Sequence, residues 1–320
     1  MMFTDVEKHR IALTTSVRDT EPLPKVPNAG EIETRDGRRV QVMHNGIVVE
    51  EHCYGGPWMT EIIRQLRGHH EPQEEVAFNA IVERLRSDTA QPVMVELGSY
   101  WAYYSLWLKA AIPGARCICV EPDPRNLEVG RRNFELNGFS GDFVNAAAGS
   151  PHGRMMRMRT ESDLAMRRVR LVTLEGLMRE NHVERVDVLL SDIQGAEADL
   201  LTVAQPLLRA GRVRFLVVST HHHSISGDAL THQRCRDILR DCGAHIIVEH
   251  SVHESASGDG LIVASTDPRD RDMELEVTLV RAKDSIVGEP EYELAKAMRL
   301  SPQRLRQAIG KRVQSTLSRF

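Results

Sequence analysis

The stretch VMVELGSYWAYYSL, residues 93–106, decides the fold. Val93, Met94, Val95 and Leu97 make a short apolar run with the composition of a buried strand, and Gly98 lets the chain turn sharply after it. Residues from Tyr104 to Ala111 then recur at helical spacing. Ala102, four residues after Gly98, is small enough to let that helix approach a ligand closely, and the backbone N–H groups at its start suit an anionic group or the polar edge of a nucleoside.

Outward from this stretch the same alternation repeats. Strands are expected at Val93 to Leu97, Arg116 to Val120, Phe143 to Ala147, Val186 to Ser191 and Phe215 to Thr220. The periodic segments Tyr104 to Ala111, Arg125 to Leu136, Ala196 to Leu208 and Thr231 to Cys242 supply crossovers, which parallel strands require. HIIVEH (245–250) and GLIVAST (260–266) flank a Ser/Gly-rich turn and read as an antiparallel hairpin closing the sheet. The fold class is therefore α/β with a mostly parallel central sheet.

Residues 1 to 38, with Pro22, Pro24 and Pro27, read as a loosely packed leader. VQVMH and IVVEE around Asn45-Gly46 predict a β-hairpin near 39–51, and Glu74 to Arg86 predicts an amphipathic helix entering the central fold. After Pro268 an acidic stretch precedes Leu294 to Phe320, which holds seven Lys/Arg and no Asp/Glu. Leu305, Ile309, Val313, Leu317 and Phe320 lie on one stripe of a predicted basic amphipathic helix. Packing on its own domain or a dimer partner is the expected use of that helix, and contact with anionic lipid or glycan the sharper alternative.

The 320 residues carry 41 Lys+Arg against 45 Asp+Glu, so no global positive field exists to grip a phosphate backbone and nucleic acid is disfavoured as partner. Hydrophobic residues are 41% and charged residues 27%, which permits a sizeable core. The five cysteines form no CxxC pair and their odd number suits a reducing compartment. With a charged N-terminus and no apolar run long enough to span a bilayer, neither a signal peptide nor a transmembrane segment is expected, and the cytoplasm is the expected location.

Ligands in such sheets sit at the carboxyl ends of the strands, so the residues there carry the functional reading. CICVEPDP (117–124) puts Glu121 after the second strand, where a carboxylate can accept hydrogen bonds from both ribose hydroxyls. VDVLLSDIQGAEADLL (186–201) puts Asp192 after the fourth, as a helix cap, a catalytic group or both. VVSTHHH (217–223) brings His221, His222 and His223 to the same rim, and histidine suits proton transfer near neutrality. A divalent metal held by Asp192, His221 and His222 is the less favoured alternative, because consecutive strand residues point to alternate sides. His69, His70 and Glu71 form a second polar cluster, to be read equally as helix-start chemistry or as part of the site.

These residues resemble the FkbM-type S-adenosylmethionine-dependent methyltransferases. VELGSYWAYYSL matches their first strand and turn, VEPDPRNLEVGRRNFELNG their second-strand acid and Asn-rich helix, and VRLVTLEGLM precedes DIQGAE as in that family. The likeness runs from about Glu74 to Ser265, with Ala102 in place of the usual second glycine, Glu96 of an aspartate, Gln194 of a glutamate and Ser191 of a frequent lysine. It implies a class I methyltransferase Rossmann-like fold, with an N-terminal extension over 1–73, a methyltransferase domain over 74–267 and a C-terminal linker and helix over 268–320. It also implies S-adenosylmethionine as cofactor, bound by Glu96, Gly98, Ser99, Tyr100, Glu121, Asn126, Ala148 and Asp192. The closing antiparallel hairpin separates this reading from a nicotinamide enzyme, which would share Gly98 and Glu121.

The expected reaction is O-methylation of a hydroxyl on a sugar or secondary metabolite, a small-molecule or glycan acceptor, with Asp192 orienting or deprotonating it and His221 the competing or assisting base. Glu121→Ala is expected to weaken donor binding more than folding. N-methylation of a small amine or peptide, a donor-binding protein without turnover, and an assembly protein forming homo-oligomers through its N- or C-terminal extension are the alternatives.

Overall fold

The computed structural model describes residues 3–280. Helix α1 (Asp5–Ser16) is followed by strands β1 (Ile32–Arg35), β2 (Arg38–Val42) and β3 (Val48–Glu50), then by α2 (Pro57–Gln65) and α3 (Pro72–Asp88). The central layer contains β4 (Val93–Leu97), α4 (Tyr103–Ala111), β5 (Arg116–Val120), α5 (Pro124–Leu136), β6 (Asp142–Val144) and β7 (Ala147–Ala148). Next come β8 (Met155–Arg159), β9 (Met166–Val172), α6 (Leu174–Glu180), β10 (Val186–Ser191) and α7 (Glu197–Arg209). The described chain finishes with β11 (Val213–Thr220), α8 (His223–Ser226), α9 (Thr231–Asp241), β12 (His245–His250) and β13 (Gly260–Ser265).

Seven strands form the main sheet in the order β12-β13-β11-β10-β4-β5-β6. β11, β10, β4, β5 and β6 pair parallel, while β13 runs antiparallel to both β11 and β12. This is the class I methyltransferase arrangement. The chain order reverses between β4 and β10, which places a crevice at their carboxyl ends. Side chains alternate across the sheet: Met94, Phe215 and Val217 face one apolar layer with α3 and α4, while Val95, Leu97, Leu216 and Val218 face the other with α6, α7 and α9. Both faces are covered, which is why these strands read as continuous apolar runs.

β1, β2 and β3 form a separate antiparallel sheet, with the predicted hairpin turning at Gly46, whose φ is +88°. Its edge is held by the asparagines of α5. Asn137 Oδ1 accepts from Val48 N and Asn133 Oδ1 from Glu50 N, both at 2.9 Å, and Arg132 grips Glu50 through two contacts of 2.9 Å. The Asn-rich helix thus joins the two sheets.

The leader departs from expectation, because it contains α1. Thr4 and Glu7 form a capping box, Ile11 is buried, and Thr14 Oγ1 donates to Ala256 O at 3.0 Å. Its buried stripe is so narrow that the polar composition hid the helix. The strand expected over Phe143 to Ala147 is divided: β6 ends the main sheet, whereas β7 pairs with β9 in a small sheet of order β7-β9-β8. Among the described residues after Pro268, Asp270 is fully buried against the Arg214 guanidinium at 2.9 and 2.7 Å, and Thr278 is bonded to Asp19. The basic C-terminal helix expected over Leu294 to Phe320 lies outside the described residues. Among the described residues no helix is long and apolar enough to cross a membrane.

Candidate active site

A cavity of about 420 Å³ opens at the carboxyl ends of β4, β5 and β10. Glu96, Gly98, Ser99, Tyr100, Glu121, Ala148 and Asp192 all line it, so seven of the predicted donor-site residues share one chamber. Asn126 does not. It is buried in the first turn of α5, where the helix carries it away from the crevice.

Gly98 is required by the junction. Its φ is +77°, and a β-carbon there would stand 1.7 Å from the carbonyl oxygen of Asp192. Asp192 N in turn donates to Leu97 O at 2.9 Å, so the ends of β4 and β10 are clamped together. Ala102 also has a left-handed backbone, φ +58°, the conformation that favours glycine at this position.

Glu121 is buried, only 6% exposed. Its Oε2 accepts from Tyr100 N at 3.2 Å and its Oε1 from Asp123 N at 2.8 Å, which shapes both loops around the pocket. Burial pushes its carboxyl up to about 7 despite these bonds. Glu96 Oε2 accepts from Ser105 N at 3.1 Å, and burial raises this acid to about 8. Ser99 Oγ is buried without a hydrogen-bond partner.

Asp192 is not the cap of α7. The N-cap is Ala196, and Glu197 Oε1 instead accepts from Ile193 N at 3.2 Å and Gly195 N at 3.0 Å. Glu197 therefore braces the loop between β10 and α7, and Asp192 lines the cavity.

His221 lies behind that wall, 3% exposed, and does not line the cavity. Its Nδ1 is 2.9 Å from Glu197 Oε1, and its Nε2 is 3.1 Å from Asp192 Oδ1 and 3.7 Å from Asp259 Oδ1. The Asp192 contact has ion-pair distance without hydrogen-bond alignment. Burial opposes charge on the ring, yet Asp192, Glu197 and Asp259 outweigh it and raise the imidazole to about 11. Three carboxylates around one buried ring favour its imidazolium form at neutral pH. That environment favours a ring that already carries its proton, placed as a counter-ion beside Asp192 and not as the expected free base.

His222 Nδ1 accepts from Ser224 N at the start of α8. Among the described residues, Asp192, His221 and His222 do not form a group with ligand atoms within 4.8 Å of one another. Among the described residues His44, His69 and Glu75 offer ligand atoms within 4.8 Å of one another. The His44 and His69 rings are stacked, with centroids 4.2 Å apart and planes at 18°, so their in-plane lone pairs run side by side instead of converging on an ion. Glu75 instead anchors a buried polar network, accepting from His69 Nδ1, His70 N and Tyr103 OH.

Sequence reasoning missed Tyr54, Glu74, Glu161 and Asp259, all of which line the chamber. Tyr54 stacks on Trp101 at 4.8 Å, and Ser219 Oγ donates to Glu74 Oε2 at 2.7 Å. Burial raises Glu74 to about 7 and Asp259 to about 6. Of the flagged polar cluster, His70 and Glu71 reach the cavity, while His69 is buried behind it. Glu74 was legible only as a helix residue, and no local pattern marks Asp259.

Residues 90–246 match the Methyltransferase FkbM domain. Over 136 residues, 42% of this chain, it is 32% identical to proteins named Transmembrane O-methyltransferase from Homo sapiens and Propithecus coquereli, covering 43% and 46% of them. A Mus musculus homologue of that name is 32% identical over 143 residues, 52% of its length. The chain spans about half the length of the curated relatives it matches. Similar solved structures include the bifunctional kinase-methyltransferase WbdD, at TM-score 0.41 and 14% identity over 67% of this chain and 43% of that one. Another is an O-methyltransferase from Bacillus cereus in complex with SAH, at TM-score 0.36 and 11% identity over 59% of this chain and 80% of that one. With the strand order, the clamped Gly98 junction and the family match coinciding on one segment, residues 90–246 of this chain are a methyltransferase domain of the FkbM family.

Proposed function

We propose that this protein transfers a methyl group from S-adenosylmethionine to a hydroxyl of a sugar or secondary metabolite. The observation that carries the reading is that Glu121 and Asp192, from strands on either side of β4, line one chamber. The residues present fit the donor, since Ser99 Oγ is a buried polar atom in the wall of that chamber without a hydrogen-bond partner. When bound, the donor supplies a methyl group already activated on a sulfonium. Glu121 accepts from the ribose hydroxyls, Glu96 and Ser99 hold the polar amino-acid end, and Tyr100 and Ala148 form the walls. Asp192, fixed by the His221 imidazolium, aims the acceptor oxygen and takes its proton at a carboxylate oxygen. The free cysteines support a reducing, cytoplasmic setting.

N-methylation is the second reading. Glu71, Glu74, Asp192 and Asp259 gather in a chamber whose lining contains one arginine, Arg159, and an amine suits such a wall. Incubation with S-adenosylmethionine and separate pools of hydroxyl and amine acceptors, followed by mass spectrometry of products, distinguishes the two. The proposal expects methyl ethers, and Asp192→Asn should lower their formation by about a hundredfold or more with donor affinity retained. Methylated amines alone would support the second reading, and lack of donor binding would refute both.

A further inference from the structure

We propose that the β8–β9 hairpin is a docking surface for an anionic lipid membrane. The register pairs Met155 with Arg170, Arg157 with Arg168 and Arg159 with Met166, so these six residues share one face of the hairpin. Residues 154–170 contain six arginines against Glu161 and Asp163, in a chain whose formal charge is −4. Asp163 pairs with Arg167 and Arg125, and Glu180 with Arg170. Among the described residues Arg154, Arg157 and Arg168 have no ion pair. Like charges directly opposite on a sheet destabilise it, so the Arg157–Arg168 pair is a local cost that intramolecular contacts leave uncompensated.

The apolar side chains identify the partner. Leu164 in the connecting loop is 62% exposed, Met166 55% and Met155 44%. Arginine on an edge strand guards against strand pairing, which accounts for Arg157 but not for three large exposed apolar groups beside it. Arginines flanking apolar side chains match a bilayer interface, where phosphate takes the guanidinium and the acyl boundary takes Leu and Met. An acidic protein or nucleic acid would satisfy only the arginines. The loop is held in place, with Ser162 N donating to Asp123 Oδ2 at 2.8 Å and Thr160 N to Ala165 O at 2.9 Å. Met158, Arg159, Thr160 and Glu161 also line the chamber described above, so docking here brings its rim to the lipid surface.

Two substitutions test this without loss of fold. Arg157→Glu puts opposite charges across the hairpin from Arg168, and Leu164→Asn suits the left-handed φ of +56° at that position. Full-length protein is sedimented with phosphatidylcholine vesicles containing about one-third phosphatidylglycerol, and with phosphatidylcholine alone. Wild type should bind the anionic vesicles only and release in high salt. Arg157→Glu should partition about thirtyfold more weakly and Leu164→Asn several-fold more weakly, with melting temperatures equal to or above wild type. No wild-type binding, or equal binding by the variants, would overturn the proposal. So would a wild-type dimer in light scattering that Arg157→Glu converts to monomer, since the face would then belong to a second copy.

Discussion

Asp192 and His221 follow neighbouring parallel strands, β10 and β11, and stand 3.1 Å apart with Glu197 on the far side of the imidazole. One buried cation thus serves three carboxylates, counting Asp259. Removing the ring strands Glu197, which is fully buried, so His221→Ala should cost about 3 kcal/mol of stability. Chemical denaturation of the purified variant measures this.

The same ring sets a pH dependence. Its folded value, about 11, lies above the ordinary imidazole value of 6.5, so its contribution is complete below pH 6.5, declines above it and is lost as pH rises through about 11. Wild type should lose melting temperature across that alkaline window, and His221→Gln should lose less. Parallel curves for the two proteins would contradict the assignment.

Glu121 must be ionised to accept two ribose hydroxyls strongly. Because burial holds it near 7, donor affinity should weaken as pH falls below about 7. Glu121→Gln should weaken affinity roughly tenfold to a hundredfold and flatten the pH dependence. Calorimetric titration with S-adenosylmethionine at several pH values reads both effects. Glutamine is the better probe than alanine, since Glu121 also receives Tyr100 N and Asp123 N.

Ala102 and Gly98 make opposite predictions for one atom. Ala102→Gly relieves a left-handed alanine and should raise stability by up to about 1 kcal/mol, less whatever entropy the unfolded chain gains. Gly98→Ala drives a methyl into Asp192 O and should cost about 3 kcal/mol. Thermal unfolding of both variants compares them.

β4, β5 and β10 were legible to the residue because each is buried on both faces and bounded by turn residues. β8 and β9 were not, since their exposed Arg and Met positions give no apolar alternation. The wall of the chamber formed at β4, β5 and β10 could be read from Gly98, Glu121 and Asp192, which follow strand ends in sequence. Glu74 and Asp259 come from a helix and a loop that meet the chamber only through tertiary packing. The charge environment of His221 was not legible in the sequence, because it depends on Glu197, which lies on α7.

The most direct test is a crystal structure with the demethylated donor, S-adenosylhomocysteine. Electron density is expected with the ribose on Glu121 and the homocysteine sulfur directed at Asp192. Density for the nucleoside away from Glu121, or a sulfur screened from Asp192 by protein, would contradict the proposed chemistry.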